Sequence, residues 1–487
     1  MKLRVQPRLY QEKIFASAAK ENTLVVLPTG LGKTLIALML ALHKLGEGKV
    51  LMMAPTKPLA EQHYKSFIRD SELEESDCAL VTGALSPDKR KELYNTRVVF
   101  ATPQTIRNDI ITRRLELNDF SLLIFDESHR AVGNYAYCFI ARQYKGRVLG
   151  LSASPGNDSE GIKEVCLNLG ITNIESRSEN SPDVKQYLNE KKITHINLEL
   201  PEELSEVKKY LKRALSVSLK EIKDEGALQT HDVNRIFKRD ILALQKTAVT
   251  NSSYDPSYYR ILSLTARALK VMHALELLQT QGAASLTKYF EGLKKQPAKA
   301  TKSLLRDHNF QRAMQLAFNT RVEHPKFKAL LDLLKKDKTY LVFTQYRATA
   351  ELITKLINET GFKAQVFVGQ RGSKGMSQKE QLRVLDSFRN REFNVLVSTS
   401  ISEEGLDIPS IDTAIFFEPV PSALRTVQRR GRVGRARPGN VYVLITKGTV
   451  DEKYKWVAYY KEKRMKSAIN SINQKELVQS SLAKFLR

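Results

Sequence analysis

The sequence predicts an α/β protein: two parallel-sheet lobes with an all-helical domain inserted between them. Three observations carry this. Short, wholly apolar runs alternate with helical periods from Thr23 to Ser152. The same rhythm returns after Pro325. Between them, from about Leu200 to His324, apolar residues fall at helical spacing and β-branched runs are few. Runs this short and this apolar suit strands buried on both faces of a parallel sheet. Their alternation with helices is the pattern of repeated βαβ units. A chain of 487 residues has room for about three domains. Their expected bounds are 1–199, 200–324 and 325–487.

In the first lobe the strand-like runs are Thr23–Leu27, Val50–Ala54, Val98–Ala101, Leu122–Phe125 and Val148–Leu151, with helices such as Thr34–Lys44 and Pro58–Arg69 between them. In the middle domain Leu264, Ala268, Val271, Leu275 and Leu278 keep one helical stripe apolar. A basic patch there, Lys288, Lys294, Lys295, Lys299, Lys302 and Arg306, is a candidate DNA contact or a solvated face. The second lobe reads as Tyr340–Phe343, Ala364–Val368, Val395–Val397, Ala414–Phe417 and Val441–Ile445. The tail from Asp451 is helical and basic.

Lys plus Arg number 78 against 53 Asp plus Glu, a net charge of +25. Such an excess points to a polyanionic partner. Cys78, Cys138 and Cys166 lie far apart and form no CxxC pair, so neither a zinc site nor a disulfide framework is expected. A reducing, cytoplasmic setting follows. The first residues lack the apolar core of a secretory signal. No apolar run approaches the roughly 20 residues of a membrane span. A soluble protein without a membrane partner is expected.

Pro28-Thr29-Gly30-Leu31-Gly32-Lys33-Thr34 follows an apolar strand and opens a helix. That is the context of a phosphate loop. Glycines let several backbone N–H groups converge, and the helix N-terminus adds its positive dipole end. Thr29, Gly30 and Gly32 would line the cradle, Lys33 reach the β and γ phosphates of ATP, and Thr34 ligate Mg²⁺. Leu27 stands where the strict pattern has a first glycine. Asp126-Glu127-Ser128-His129 ends another buried strand. Asp126 would hold Mg²⁺, and Glu127 would orient and deprotonate the attacking water.

With these motifs the chain resembles superfamily 2 helicases, and the likeness spans nearly all of it. It implies two RecA-like lobes and an ATP-hydrolysing motor on nucleic acid. Arg8-Leu9-Tyr10-Gln11 resembles the adenine-sensing Q motif, with Arg8 and Gln11 at the nucleotide. Thr56 and Lys57, then Thr102, fall in segments like motifs Ia and Ib; Thr82-Gly83 adds a phosphate contact. Ser152-Ala153-Ser154 resembles motif III. Gln345 sits in a motif IV-like segment, and Thr399, Gly405 and Asp407 in one like motif V. In Gln428–Arg435, like motif VI, the resemblance makes Arg432 and Arg435 arginine fingers and puts Gln428 in the same γ-phosphate network. The implied strand contacts are to backbone, which positions without reading sequence.

The helical insertion and the glycine-rich basic loop from Val368 to Gln381, containing Arg371, narrow the likeness. They resemble the archaeal Hef and Fanconi anaemia M group, and less closely the RIG-I-like and Dicer helicases of double-stranded RNA. The first group implies 3′–5′ translocation on branched DNA such as forks and four-way junctions, in repair or fork restart. It also implies an XPF-type nuclease partner, covalent or separate. No nuclease motif occurs before Arg487, so nuclease activity is not expected of this chain, and a monomer is. Trp456 is the single tryptophan, and no Trp- or Phe-rich platform is visible, which favours backbone tracking over base stacking.

Overall fold

The structure is a computed structural model and describes residues 2–156, 158–187, 191–251, 258–370, 375–399, 411–422 and 439–471. Seven parallel strands form the first sheet: β1 (Thr23–Val26), β2 (Lys49–Met53), β3 (Cys78–Val81), β4 (Val98–Ala101), β5 (Phe120–Phe125), β6 (Arg147–Ser152) and β7 (Asn173–Ser176). Their order is β3-β4-β2-β5-β6-β1-β7. Neighbouring residues of one strand serve opposite cores. Leu24 and Val26 join one buried cluster, Val25 and Leu27 the other. A strand covered by helices on both faces has no polar side, which is why these runs are wholly apolar.

The second sheet holds β8 (Lys191–Leu198), β9 (Tyr340–Phe343), β10 (Ala364–Phe367), β11 (Val395–Ser398), β12 (Thr413–Phe416) and β13 (Gly439–Thr446). Its order is β10-β11-β9-β12-β13-β8, again parallel. Leu341 and Phe343 face one core, Tyr340 and Val342 the other.

β8 corrects the expected first boundary. Residues 191–198 fall within the span assigned to lobe 1, yet they pair with β13 from Lys191↔Gly439 to Leu198↔Thr446. The cause is packing: Ile196 and Leu198 lie against the second lobe's core. β3 and β7, also unanticipated, are short outer strands of the first sheet.

Among the described residues six helices make the insertion: Glu202–Asp224, Lys238–Asn251, Tyr258–Gln281, Ala283–Lys294, Lys299–Arg306 and His308–Asn319. The stripe Leu264, Ala268, Val271, Leu275 and Leu278 is buried in its core. The six basic residues from Lys288 to Arg306 singled out above are all exposed. Among the described residues, no helix is long and apolar enough to cross a membrane.

A buried joint ties the insertion to lobe 2 and to the last helix, Val450–Ser471. Lys326 and Asp451, both fully buried, form an ion pair of 2.7 Å. Asp451 also accepts from the Thr446 amide (2.9 Å), and the Lys326 ammonium reaches the Thr280 carbonyl (3.4 Å) at the end of the insertion's longest helix. His324 completes the joint. Its Nε2 donates to the Gln279 carbonyl (3.0 Å), while Nδ1 accepts from the Lys326 amide (3.4 Å). Gly282 turns here at φ 87°, and a Cβ on it would stand 2.8 Å from the His324 Cβ. The last helix continues to lobe 1, where Met465 Sδ accepts from the Ser154 hydroxyl (2.7 Å) and Ala468 enters the core.

Burial and the adjacent Lys326 charge lower the His324 pKa to about 3. Below about pH 6.5, the ordinary histidine value, the unfolded chain takes up a proton that the folded chain refuses until about pH 3. Stability is therefore lost as pH falls through this window, by about 1.4 kcal/mol per pH unit from this one group. Denaturant titrations at several pH values should show a shallower acid loss in His324→Asn than in the native chain. Equal slopes would mean that His324 is not kept neutral.

Candidate active site

The expected site residues of lobe 1 line up along one edge of its sheet. All strands run parallel, so every loop that follows a strand leaves at the same edge, where α/β folds bind ligands. From β3 through β4 to β2 this edge carries Thr82-Gly83, Thr102 and Thr56-Lys57. From β5 through β6 to β1 it carries Asp126-Glu127, Ser152–Ser154 and the Thr29–Thr34 loop.

The loop after β1 has the geometry of an anion cradle. Gly30 and Gly32 have φ of 88° and 72°, a region where a side chain is strained. A Cβ on Gly32 would collide with the Gln11 amide. Helix Lys33–Lys44 starts immediately after and aims its N-terminus into the loop. Lys33 Nζ lies over the loop, 2.8 Å from the Leu27 carbonyl. The Thr29 hydroxyl is buried with no hydrogen-bond partner. A cradle that only glycine can form, a lysine over it and an orphaned hydroxyl inside it fit a nucleotide triphosphate. Thr34, the second residue of the helix, and Asp126 fit the magnesium that accompanies it.

Gln11 reaches the same loop, and Arg8 stands behind it. Gln11 Nε2 donates to the Leu31 carbonyl (3.2 Å), and its Oε1 accepts from the Arg8 amide (2.8 Å). Tyr10 donates to the same Leu31 carbonyl (2.7 Å). The Arg8 guanidinium sits 4.7 Å from the centroid of Tyr187. Tyr187 was not foreseen: it arrives from beyond β7, and no motif marks it.

Asp126 is buried at the end of β5, with its amide donating to the Met53 carbonyl (3.0 Å). Burial pushes its carboxyl pKa up, but His63 and Lys33 outweigh that and hold it below the ordinary value. His63 was also missed. It lies on the helix Lys57–Asp70, and its Nε2 is 2.8 Å from Asp126 Oδ2. Glu127 adopts left-handed φ 48°, ψ 48°, an uncommon state for a non-glycine residue. Its Oε2 lies 3.3 Å from His129 Nδ1, which is 3.4 Å from the Ser152 hydroxyl. The Ser152 hydroxyl in turn accepts from the Ser154 amide (3.0 Å). The Glu127 carboxylate, the 128–130 turn and the 152–154 segment thus lie against one another.

At the β3–β4–β2 end, Thr56 and Lys57 are exposed at a helix N-terminus. Thr102 caps the helix Pro103–Ile111, with its hydroxyl 2.9 Å from that of Thr105. Gly83 is exposed and faces Thr105, whereas Thr82 is buried. Arg90 fastens these loops. It grips the buried Asp109 carboxylate with two hydrogen bonds (2.7 and 2.8 Å) and donates to the Leu85 carbonyl (2.6 Å). Burial raises the Asp109 pKa, but the Arg90 and Tyr94 hydrogen bonds bring it below the ordinary value.

In lobe 2, Gln345 follows β9 and its amide donates to Glu418. Thr399 follows β11, with its amide donating to the Phe367 carbonyl (3.3 Å). Arg371, Gly405, Asp407, Gln428, Arg432 and Arg435 lie outside the described residues.

Comparison with known proteins bears on the two lobes and the bundle between them. Residues 8–161 match the DEAD/DEAH box helicase family and 325–437 the helicase conserved C-terminal domain. Residues 203–324 match a family described as "Putative ATP-dependent RNA helicase, helical bundle". The crystal structure of the Pyrococcus furiosus Hef helicase domain superposes with a TM-score of 0.73 at 44% identity, covering 94% of this chain and 99% of that one. "Putative ATP-dependent RNA helicase MJ1505" of Methanocaldococcus jannaschii is 42% identical over 96% of this chain and 61% of its own length. The mouse Fanconi anemia group M protein homolog is 32% identical over 92% of this chain and 25% of its own length. The chain thus spans about a quarter to three-fifths of these curated relatives. Two helicase lobes in register, the bundle between them and near-complete overlap with a solved relative place this chain in the family of Hef and Fanconi anaemia M-type ATP-dependent helicases.

Proposed function

We propose that the chain is an ATP-driven DNA translocase and helicase that moves 3′–5′ and acts on branched DNA, forks and four-way junctions, in repair or fork restart. One observation carries the reading: the strand-contact loops and the ATP site share one sheet edge, and the His63–Asp126 contact joins them. The names of relatives support DNA as the track, among them the "ATP-dependent DNA helicase fml1" of Schizosaccharomyces pombe, 31% identical over 93% of this chain. RNA is a second reading, because the bundle family and the Methanocaldococcus relative carry RNA helicase names.

In the proposed cycle Arg8 and Gln11 hold the adenine end of ATP, and Thr29, Gly30, Gly32 and Lys33 hold the phosphates. Thr34 and Asp126 would hold Mg²⁺, which would supply neutralisation of the phosphate charge. Glu127, locked in its left-handed turn, orients the attacking water and takes its proton. Gln428, Arg432 and Arg435 approach from lobe 2 as the lobes close, with Gly405 and Asp407 near the nucleotide. Arginines so placed are worth about 10³–10⁵ in rate in related NTPases. Thr56, Lys57, Thr82, Gly83, Thr102, Gln345, Arg371 and Thr399 grip the sugar-phosphate backbone, and the exposed lysines of the insertion hold a duplex arm. An XPF-type nuclease works with this motor, which acts in the cytoplasm as a monomer.

Steady-state ATPase assays over a magnesium titration should find Lys33→Ala inactive while it still binds DNA. His63→Ala should lose about 10–100-fold, as expected when a ligand's hydrogen-bond partner is removed, and His63→Gln should recover part of the loss. Normal turnover in Lys33→Ala would refute the phosphate assignment, and full magnesium response in His63→Ala would refute the link. Forks and four-way junctions should stimulate the ATPase more than duplex RNA; the reverse order supports the RNA reading. Affinity for DNA should fall steeply with salt, and Lys57→Ala should lower the log–log slope by about 1.

A further inference from the structure

The last helix, Val450–Ser471, buries Ala458, Met465 and Ala468 but leaves three rings in water. Trp456, Tyr459 and Tyr460 are 52%, 53% and 55% exposed. They stand together. Trp456 and Tyr460 lie nearly parallel, with centroids 6.0 Å apart and 30° between their planes. Tyr459 meets both edge-on, at 6.0 and 5.4 Å. The Lys455 ammonium is 5.5 Å from the Trp456 ring centroid. Beside the rings a cleft of about 690 Å³ opens between this helix and the second sheet. Phe416, Val420, Val443 and Tyr459 wall it, and Lys455, Glu462 and Lys463 also line it, two cations to one carboxylate.

This place is separate from the strand contacts expected in lobe 2. Gln345 and Thr399 follow β9 and β11, on one half of the sheet. The cleft lies against β12, β13 and the edge strand β8, on the other half. Nothing assigned to ATP or to backbone gripping uses the three rings.

We propose that the cleft and the ring cluster form a second nucleic-acid subsite that takes unpaired bases of single-stranded DNA; the proposal rests on the DNA reading above. Bases present flat π faces, and stacking on aromatic side chains tolerates any sequence. In a duplex those faces are already covered, so exposed rings gain little from it. Charge selects the partner. From Lys453 to Arg464 the helix carries Lys453, Lys455, Lys461, Lys463 and Arg464 against Glu462 alone. An apolar peptide would find no use for that excess, whereas a strand brings a phosphate with every base.

Trp456 is the only tryptophan in the chain, so its emission reports on this cleft alone. The full chain is titrated with an oligodeoxythymidylate of about twenty nucleotides, which spans one or more single-strand site sizes. Binding should quench Trp456. Tyr460→Ala should weaken affinity about tenfold or more, and Tyr460→Phe, which keeps the ring, should restore it. The double change Lys455→Ala and Lys463→Ala should flatten the salt dependence by about 1.4 in log–log slope. Circular dichroism and melting curves confirm that each variant folds. Binding by anisotropy without any change in Trp456 emission, or equal affinity in Tyr460→Ala, overturns the proposal and leaves the cleft to an apolar protein segment. If the native chain binds neither the oligonucleotide nor forked DNA, the DNA reading itself fails.

Discussion

Two parallel strands cannot be joined by a tight turn; the chain must cross back over the sheet before the next strand begins. Both sheets here are parallel throughout. In lobe 1 the loops at the C-terminal edge are thereby forced onto one line, and the helices that make the crossings cover both faces. The apolar character of the strands and the collection of polar loops at one edge share this single cause. Hydroxyls and amides that are a hundred residues apart in the chain become neighbours without any dedicated contact to bring them there.

Two buried polar contacts then do what hydrophobic packing cannot. Apolar contacts hold surfaces together without fixing an atom to an atom. The His63–Asp126 contact at 2.8 Å sets one carboxylate oxygen against the helix that begins at Thr56-Lys57. Movement of that helix is felt at the carboxylate. The Lys326–Asp451 pair acts at the joint between the bundle, lobe 2 and the last helix. Breaking one partner of a fully buried pair costs about 3–5 kcal/mol, because a naked charge is left behind.

Periodicity and local motifs were enough to read the inner strands, the phosphate loop and the Asp126-Glu127 pair. Each is decided by residues within a few positions of one another. β3 and β7 are the outer strands of the first sheet, and Glu175 and Ser176 of β7 are only half-buried, so burial writes a weaker pattern in β7. β8 fails for another reason. Residues 191–198 carry no clean polar–apolar alternation, and only the partner across 248 positions shows the strand and the sheet it joins. His63 and Arg90 are invisible for the same cause. Their significance lies in Asp126 and Asp109, and nothing beside them in the chain announces it. The Trp456 cluster is different again: its residues are plain in the sequence, but their shared exposure appears only when the helix has a side.

The placement of β8 decides what kind of appendage the helical bundle is. The chain leaves lobe 1 after Tyr187, threads β8 into the second sheet, and only then builds the six helices before returning at Pro325. Entry and exit both belong to lobe 2, and the joint of Lys326, His324 and Asp451 clamps the exit. The bundle is therefore not a spacer between two lobes but a limb of one of them. Any rotation of lobe 2 against lobe 1 would carry the bundle with it, and the arc would be widest at the bundle's far end.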